Sequence, residues 1–110
     1  MKVVILPEVF DYMEDLMEIL YRKEYFGFRE SASEYVIDLL DNIKANLPKQ
    51  QHKRAPERFA KYGEDLHYAS FVKNKRTTWY AFFTKYENES KDIIYLVRYI
   101  ANNHTVAHHL

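Results

Sequence analysis

No cysteine occurs in this chain of 110 residues, which removes disulfide scaffolds, thiolate zinc sites and thiol nucleophiles and leaves the compartment open. Two glycines and three prolines are too few for a linker or a disordered segment. Long apolar runs are missing as well. The opening MKVVILPEVFDYMEDL holds too short a hydrophobic stretch for a signal peptide or a membrane span, and acids follow at once, so a cytoplasmic protein with no membrane partner is expected. No internal repeat or low-complexity stretch interrupts the chain.

Net charge is also absent, but only in the total. Residues 1 to 47 carry ten acids and five Lys or Arg, a balance of −5, whereas residues 48 to 110 carry eleven Lys or Arg and six acids, a balance of +5, and all five histidines. Clustered cations reward contact with a polyanion even on a neutral molecule, and the other meaning of such a split is a dipolar surface.

What the chain does have is apolar and aromatic residues, 47% and 16%, with ten tyrosines among them. At this length they form the core of a single domain, residues 1 to 110. Lys2 to Leu6 is short and β-branched and reads as a strand, closed by Pro7. From Glu8 to about Tyr25, Val9, Met13, Leu16, Met17 and Leu20 recur at helical spacing, with Asp11, Glu14, Asp15 and Glu18 turned outward. Ser31 and Glu34 have the spacing of a capping box, so a second helix is expected from near Ala32 until Pro48 stops it, with Val36, Leu39, Leu40, Ile43 and Leu47 as its apolar stripe. The two helices then form an antiparallel hairpin.

Residues 49 to 63 are a basic connector carrying Lys49, Lys53, Arg54, Arg58 and Lys61, with one helical turn expected at Pro56 to Tyr62. Three β-rich stretches follow, LHYASFVK, TTWYAFFTKY and IIYLVRYI, separated by turn-rich segments at residues 73 to 75 and 87 to 92. The expected fold is α+β, a two-helix hairpin on a mostly antiparallel four-stranded sheet, in the order β-α-α-β-β-β.

Three constellations could carry chemistry. In KNKRTTWYAFF, strand alternation puts Trp79, Ala81 and Phe83 toward the helices and leaves Arg76 and Tyr80 on the open face, where a guanidinium can grip a phosphate or simply pair with a helix carboxylate. In RYIANNHTVAHHL, His104 just beyond a strand end has the intrinsic pKa of a general acid or base, and Asn102 and Asn103 can hydrogen-bond a phosphate or a base edge or merely turn the chain. His104 and His108 are four apart but have no evident third ligand, so no metal and no cofactor is expected. Finally, the basic connector runs into Tyr62, Glu64, His67 and Tyr68, a mixture of cations and rings that suits unpaired RNA.

The element order, the arginine at the start of the middle strand in KNKRTTWYAFF and the polar ending of YLVRYIANNH together resemble the RelE/ParE superfamily of toxins from type II toxin-antitoxin modules, over essentially the whole chain. That resemblance implies a metal-independent endoribonuclease, cutting mRNA on the ribosome by attack of a ribose 2′-hydroxyl on the adjacent phosphate. It also implies a cognate antitoxin as partner, with the toxin a monomer or a dimer inside the complex. By the same resemblance Arg76 is the cation over the reacting phosphate, His104 the acid, and Glu64 or His67 the base. Lys53, Arg54 and Lys61 would hold the RNA backbone, and Tyr80, Tyr99 and Asn103 would orient base or phosphate. Two departures stand out: the chain is neutral where such nucleases are basic, and its ending differs from the compact His-Tyr of some members. A second branch of the superfamily inhibits DNA gyrase instead, and an inactive binding subunit is a third reading.

Overall fold

The computed structural model describes residues 2–22, 29–75 and 77–103. Strand β1 (Lys2–Ile5) leads through Leu6 into helix α1 (Pro7–Arg22), whose first residue is a proline, tolerated there because the first helical amide has no intrahelical acceptor. Helix α2 (Arg29–Asn46) follows. Its start precedes the expected one, so Ser31 lies inside the helix rather than capping it. Arg29 and Glu30 are good helix formers and extend it toward the N-terminus. A 3-10 turn at Leu47–Lys49 ends this helix, as the proline demands.

The basic connector contains a strand that its composition hides. Lys53–Arg54, β2, pairs antiparallel with β3 (His67–Asn74), and between them a 3-10 helix runs from Glu57 to Tyr62. Strands β4 (Thr77–Glu87) and β5 (Ile93–Asn102) complete the sheet. The fold is α+β as expected, but the sheet has five strands rather than four, in the order β1-β5-β4-β3-β2, antiparallel except where β1 lies parallel to β5. The extra strand escapes a reading based on apolar periodicity because both of its residues are exposed.

One face of the sheet carries the two helices. Trp79, Ala81 and Phe83 of β4 meet Val9 and Met13 of α1 and Val36, Leu39 and Ile43 of α2 in the main core. Trp79 is almost wholly buried, and its indole Nε1 donates to the Tyr35 hydroxyl at 2.9 Å, so burying the ring leaves no donor unmet. His52 closes one end of this core. Its ring lies 4.8 Å from that of Phe83, and its Nε2 donates to the Leu47 carbonyl at 2.8 Å.

The opposite face is not left open. The 3-10 helix crosses it and sets Phe59 on Phe82, rings stacked at 4.8 Å, and Leu66, Tyr68 and Ala101 join them in a second, smaller core. Tyr80 stays half-exposed beside it. β4 is therefore apolar on both sides through its middle, which is why TTWYAFFTKY reads as continuous hydrophobicity.

A β-bulge shapes β5. Phe82 pairs with Tyr99 and Phe83 with Val97, so Arg98 is an extra residue with no opposite number. Tyr95 and Val97 point to the helices before it, and Ile100 does so after it. The hairpin from β4 to β5 is closed by Asn88, whose side-chain oxygen accepts from the Asp92 amide at 2.9 Å, while Lys91 takes positive φ.

Because Phe83 is fully buried between helices, His52 and Tyr95, Phe83→Ala is expected to cost about 3–5 kcal/mol of unfolding free energy. Urea denaturation followed by Trp79 fluorescence measures it.

Candidate functional site

Register sorts the candidate residues by face, since residues opposite one another across a ladder point the same way. Lys53, Tyr68, Phe82 and Tyr99 form one transverse row, and Ser70, Tyr80 and Ala101 form the next. Both rows lie on the face away from α1 and α2. Rings of the two rows touch: Tyr68 lies 5.9 Å from Tyr80 and 5.6 Å from Phe82, and Phe82 lies 5.5 Å from Tyr99. Exposed Lys53 and half-exposed Tyr80 thus share a surface with Tyr68 and Ser70, beside a hollow of about 160 Å³ that Gln50 and Gln51 close.

Arg54 and His67 belong to the other face. They oppose each other in the β2–β3 ladder, and His67 opposes Phe83 of the main core. The His67 Nδ1 is 2.9 Å from the Asp65 carbonyl, and Arg54 reaches the Asp65 carboxylate at 3.4 Å, an exposed pair that contributes little to stability. Glu64 is exposed in the turn just before β3.

Arg76 and His104 lie outside the described residues. Their described neighbours nonetheless sit side by side: Trp79 opposes Asn102, and the Thr78 amide donates to the Asn103 side-chain oxygen at 3.1 Å. The beginning of β4 and the end of β5 therefore meet at one end of the sheet. Glu64 and His67 are at the other end. From His67 to Asn74 is the full length of β3, roughly 24 Å at about 3.4 Å per residue. The two base candidates do not converge with the neighbours of Arg76.

At the free edge of β5 the structure holds a feature that motif reading missed. β1 accompanies β5 only as far as Val97. Beyond it, the first turns of α1, the end of the 3-10 helix and β5 enclose a cleft of about 420 Å³, lined by Leu6, Val9, Tyr12, Tyr62, Arg98 and Tyr99 among others. Tyr62 and Tyr99 stack almost parallel at 4.2 Å. Burial first, and then the nearby Tyr62 hydroxyl with its hydrogen bond, pushes the Tyr99 phenol from its ordinary 10 up to about 12. Burial and the same Tyr62 also raise Tyr12. The one signal in the sequence was Arg98 itself, a cation inside an otherwise apolar IIYLVRYI.

Among the described residues no three His, Asp or Glu side chains come together as a metal site would require, and no helix is long and apolar enough to cross a membrane.

A phenol whose pKa is higher folded than unfolded stabilises the fold fully below pH 10, and that contribution disappears as pH rises toward 12. Stability should fall across this interval. Tyr99→Phe should flatten the fall and remove a tyrosinate step near pH 12 from an absorbance titration; an unchanged titration would contradict the assignment.

No protein-family model matches the chain, and no curated protein or solved structure matches it either.

Proposed function

We propose that the protein is a toxin-type endoribonuclease of the RelE/ParE kind, acting in the cytoplasm on mRNA and held silent by a cognate antitoxin. The observation that carries this reading is the meeting of Thr78 with Asn103, because it joins the two chain segments that flank Arg76 and His104. A guanidinium and an imidazole supplied from adjoining strand ends suit the reaction. The 2′-hydroxyl gives up its proton to water as its oxygen bonds to phosphorus, negative charge grows on the equatorial oxygens, and the P–O5′ bond breaks with the 5′-oxygen leaving protonated. Arg76 would stabilise that charge, and His104 would deliver the proton. No metal is needed for either role.

The face leading to this end supports the same reading. Tyr80 offers a half-exposed ring for a base to stack on, with Lys53 within the same patch for the backbone. Lys61 stands apart at the β5 edge, and Asn103 is already engaged with the sheet. Glu64 lies in the turn at the far end of β3, and His67 and Arg54 are on the helix side.

A second reading, a gyrase-directed toxin without nuclease activity, draws on the zero net charge and on the 3-10 helix that covers the middle of the outer face. Expression without an antitoxin separates the two. The nuclease reading expects growth arrest with cleaved mRNA, abolished by Arg76→Ala or His104→Ala. Tyr80→Ala should weaken RNA binding by about 1–3 kcal/mol, the usual worth of one base-stacking ring. Arrest with intact mRNA and an induced DNA-damage response would transfer the assignment to the second reading.

A further inference from the structure

Arg98 occupies a place built for it. The bulge that it forms turns its side chain to the outer face, where Nε donates to the Thr84 hydroxyl at 3.0 Å. Its stem passes under Gly63, closely enough that a β-carbon there would lie 2.9 Å from Arg98 Cδ. Gly63 also has φ of 155°, a conformation that L side chains rarely adopt. One of only two glycines in the chain is thus spent on seating this arginine.

A side chain held so firmly and half-buried should have a counter-charge, since desolvating a cation is unfavourable unless something compensates. Arg98 has none. Exposed pairs do occur elsewhere, Glu18 with Arg22 and Asp65 with Arg54. Lys61, on the same cleft, lies over the Tyr62 ring at 5.2 Å and likewise has no carboxylate within 4 Å among the described residues. Glu8 is the acid that lines the cleft, exposed and beyond 4 Å of both cations.

We propose that this cleft is a phosphate site, in which Arg98 is the preset ligand, Lys61 the second cation at the rim, and the hydroxyls of Tyr12 and Tyr62 neutral donors. The chemistry suits a tetrahedral oxyanion. With Nε fixed on Thr84, the two terminal guanidinium nitrogens remain for a bidentate grip. Burial raises the Tyr12 phenol, so its hydroxyl stays protonated and able to donate past neutral pH. The space of about 420 Å³ exceeds what a bare phosphate fills, and half-buried Leu6 suits the body of an ester. Such a phosphate belongs either to a free monoester or to a nucleic-acid strand. The site is distinct from the sheet end near Thr78 and does not rest on the nuclease reading.

Titration of the full chain with inorganic phosphate and then adenosine 5′-monophosphate, read by amide chemical shifts, tests it. Saturable shifts at Gly63, Arg98 and Tyr99 are expected, with the monophosphate bound more tightly. Arg98→Gln should weaken both by about tenfold or more. Lys61→Gln, a change at an exposed position that leaves the core alone, should weaken them by a smaller factor, and Arg76→Ala should leave them unchanged. Displacement of the monophosphate by a short oligouridylate would identify the source as a nucleic-acid strand, and failure to displace it would identify a free ester. Shifts that stay linear without saturating, or affinities that Arg98→Gln and Lys61→Gln both leave intact, would overturn the proposal.

Discussion

Burial of β4 on both faces is the constraint from which the rest of this structure follows. A strand with Trp79, Ala81 and Phe83 on one side and Phe82 on the other, all near zero exposure, needs two covers. The helical hairpin supplies one. The other can come only from the connector, so the chain between α2 and β3 must lay an apolar side chain across the sheet, and Phe59 does so. That crossing forces the turn at Gly63, and the turn leaves the groove under which Arg98 fits. Cover, turn and arginine are one device.

The bulge in β5 is the second consequence. Without the extra residue, the alternation that buries Tyr95 and Val97 would carry on to Tyr99 and Ala101, and Ile100 would face outward. With it, Ile100 returns to the helices and Tyr99 joins the outer row with Tyr68 and Phe82. The local loss of pairing is offset by apolar burial on both faces, at about 25 cal/mol per Å² of surface removed from water. A ring of the outer core and a cation beside it are thereby produced in adjacent positions.

Much of this was legible. The helices announce themselves through Val9, Met13, Val36, Leu39 and Ile43, and the three long strands through β-branched and aromatic runs bounded by turn residues. Alternation in TTWYAFFTKY correctly divided Trp79, Ala81 and Phe83 from Tyr80. Other features left no such trace. β2 is two exposed cations held by backbone hydrogen bonds, and backbone pairing has no side-chain signature. The bulge is a matter of register, invisible in IIYLVRYI, and so the role of Arg98 was hidden with it. Strand direction, which the spacing of residues along the chain does not reveal, places His67 and Glu64 a whole strand away from the β3–β4 turn.

The 3-10 helix also divides the outer face into unequal parts, and this bears on how a polyanion would lie. On the β2 and β3 side, Lys53, Tyr68, Ser70 and Tyr80 form a shallow patch that opens toward the end where Thr78 meets Asn103. On the β5 side, Lys61 and Arg98 flank a deeper cleft. Tyr62 and Phe59 stand between the two parts, and neither ring has reason to move, because each is stacked on a partner in the sheet. A nucleic-acid strand touching both would have to pass around that ridge. The Lys53–Tyr68–Phe82–Tyr99 row runs beneath the ridge and links them. A ligand in the cleft that shifted Tyr99 would therefore press on Phe82 before it reached Tyr80, and close packing around a fully buried Phe82 gives such a push little room to dissipate.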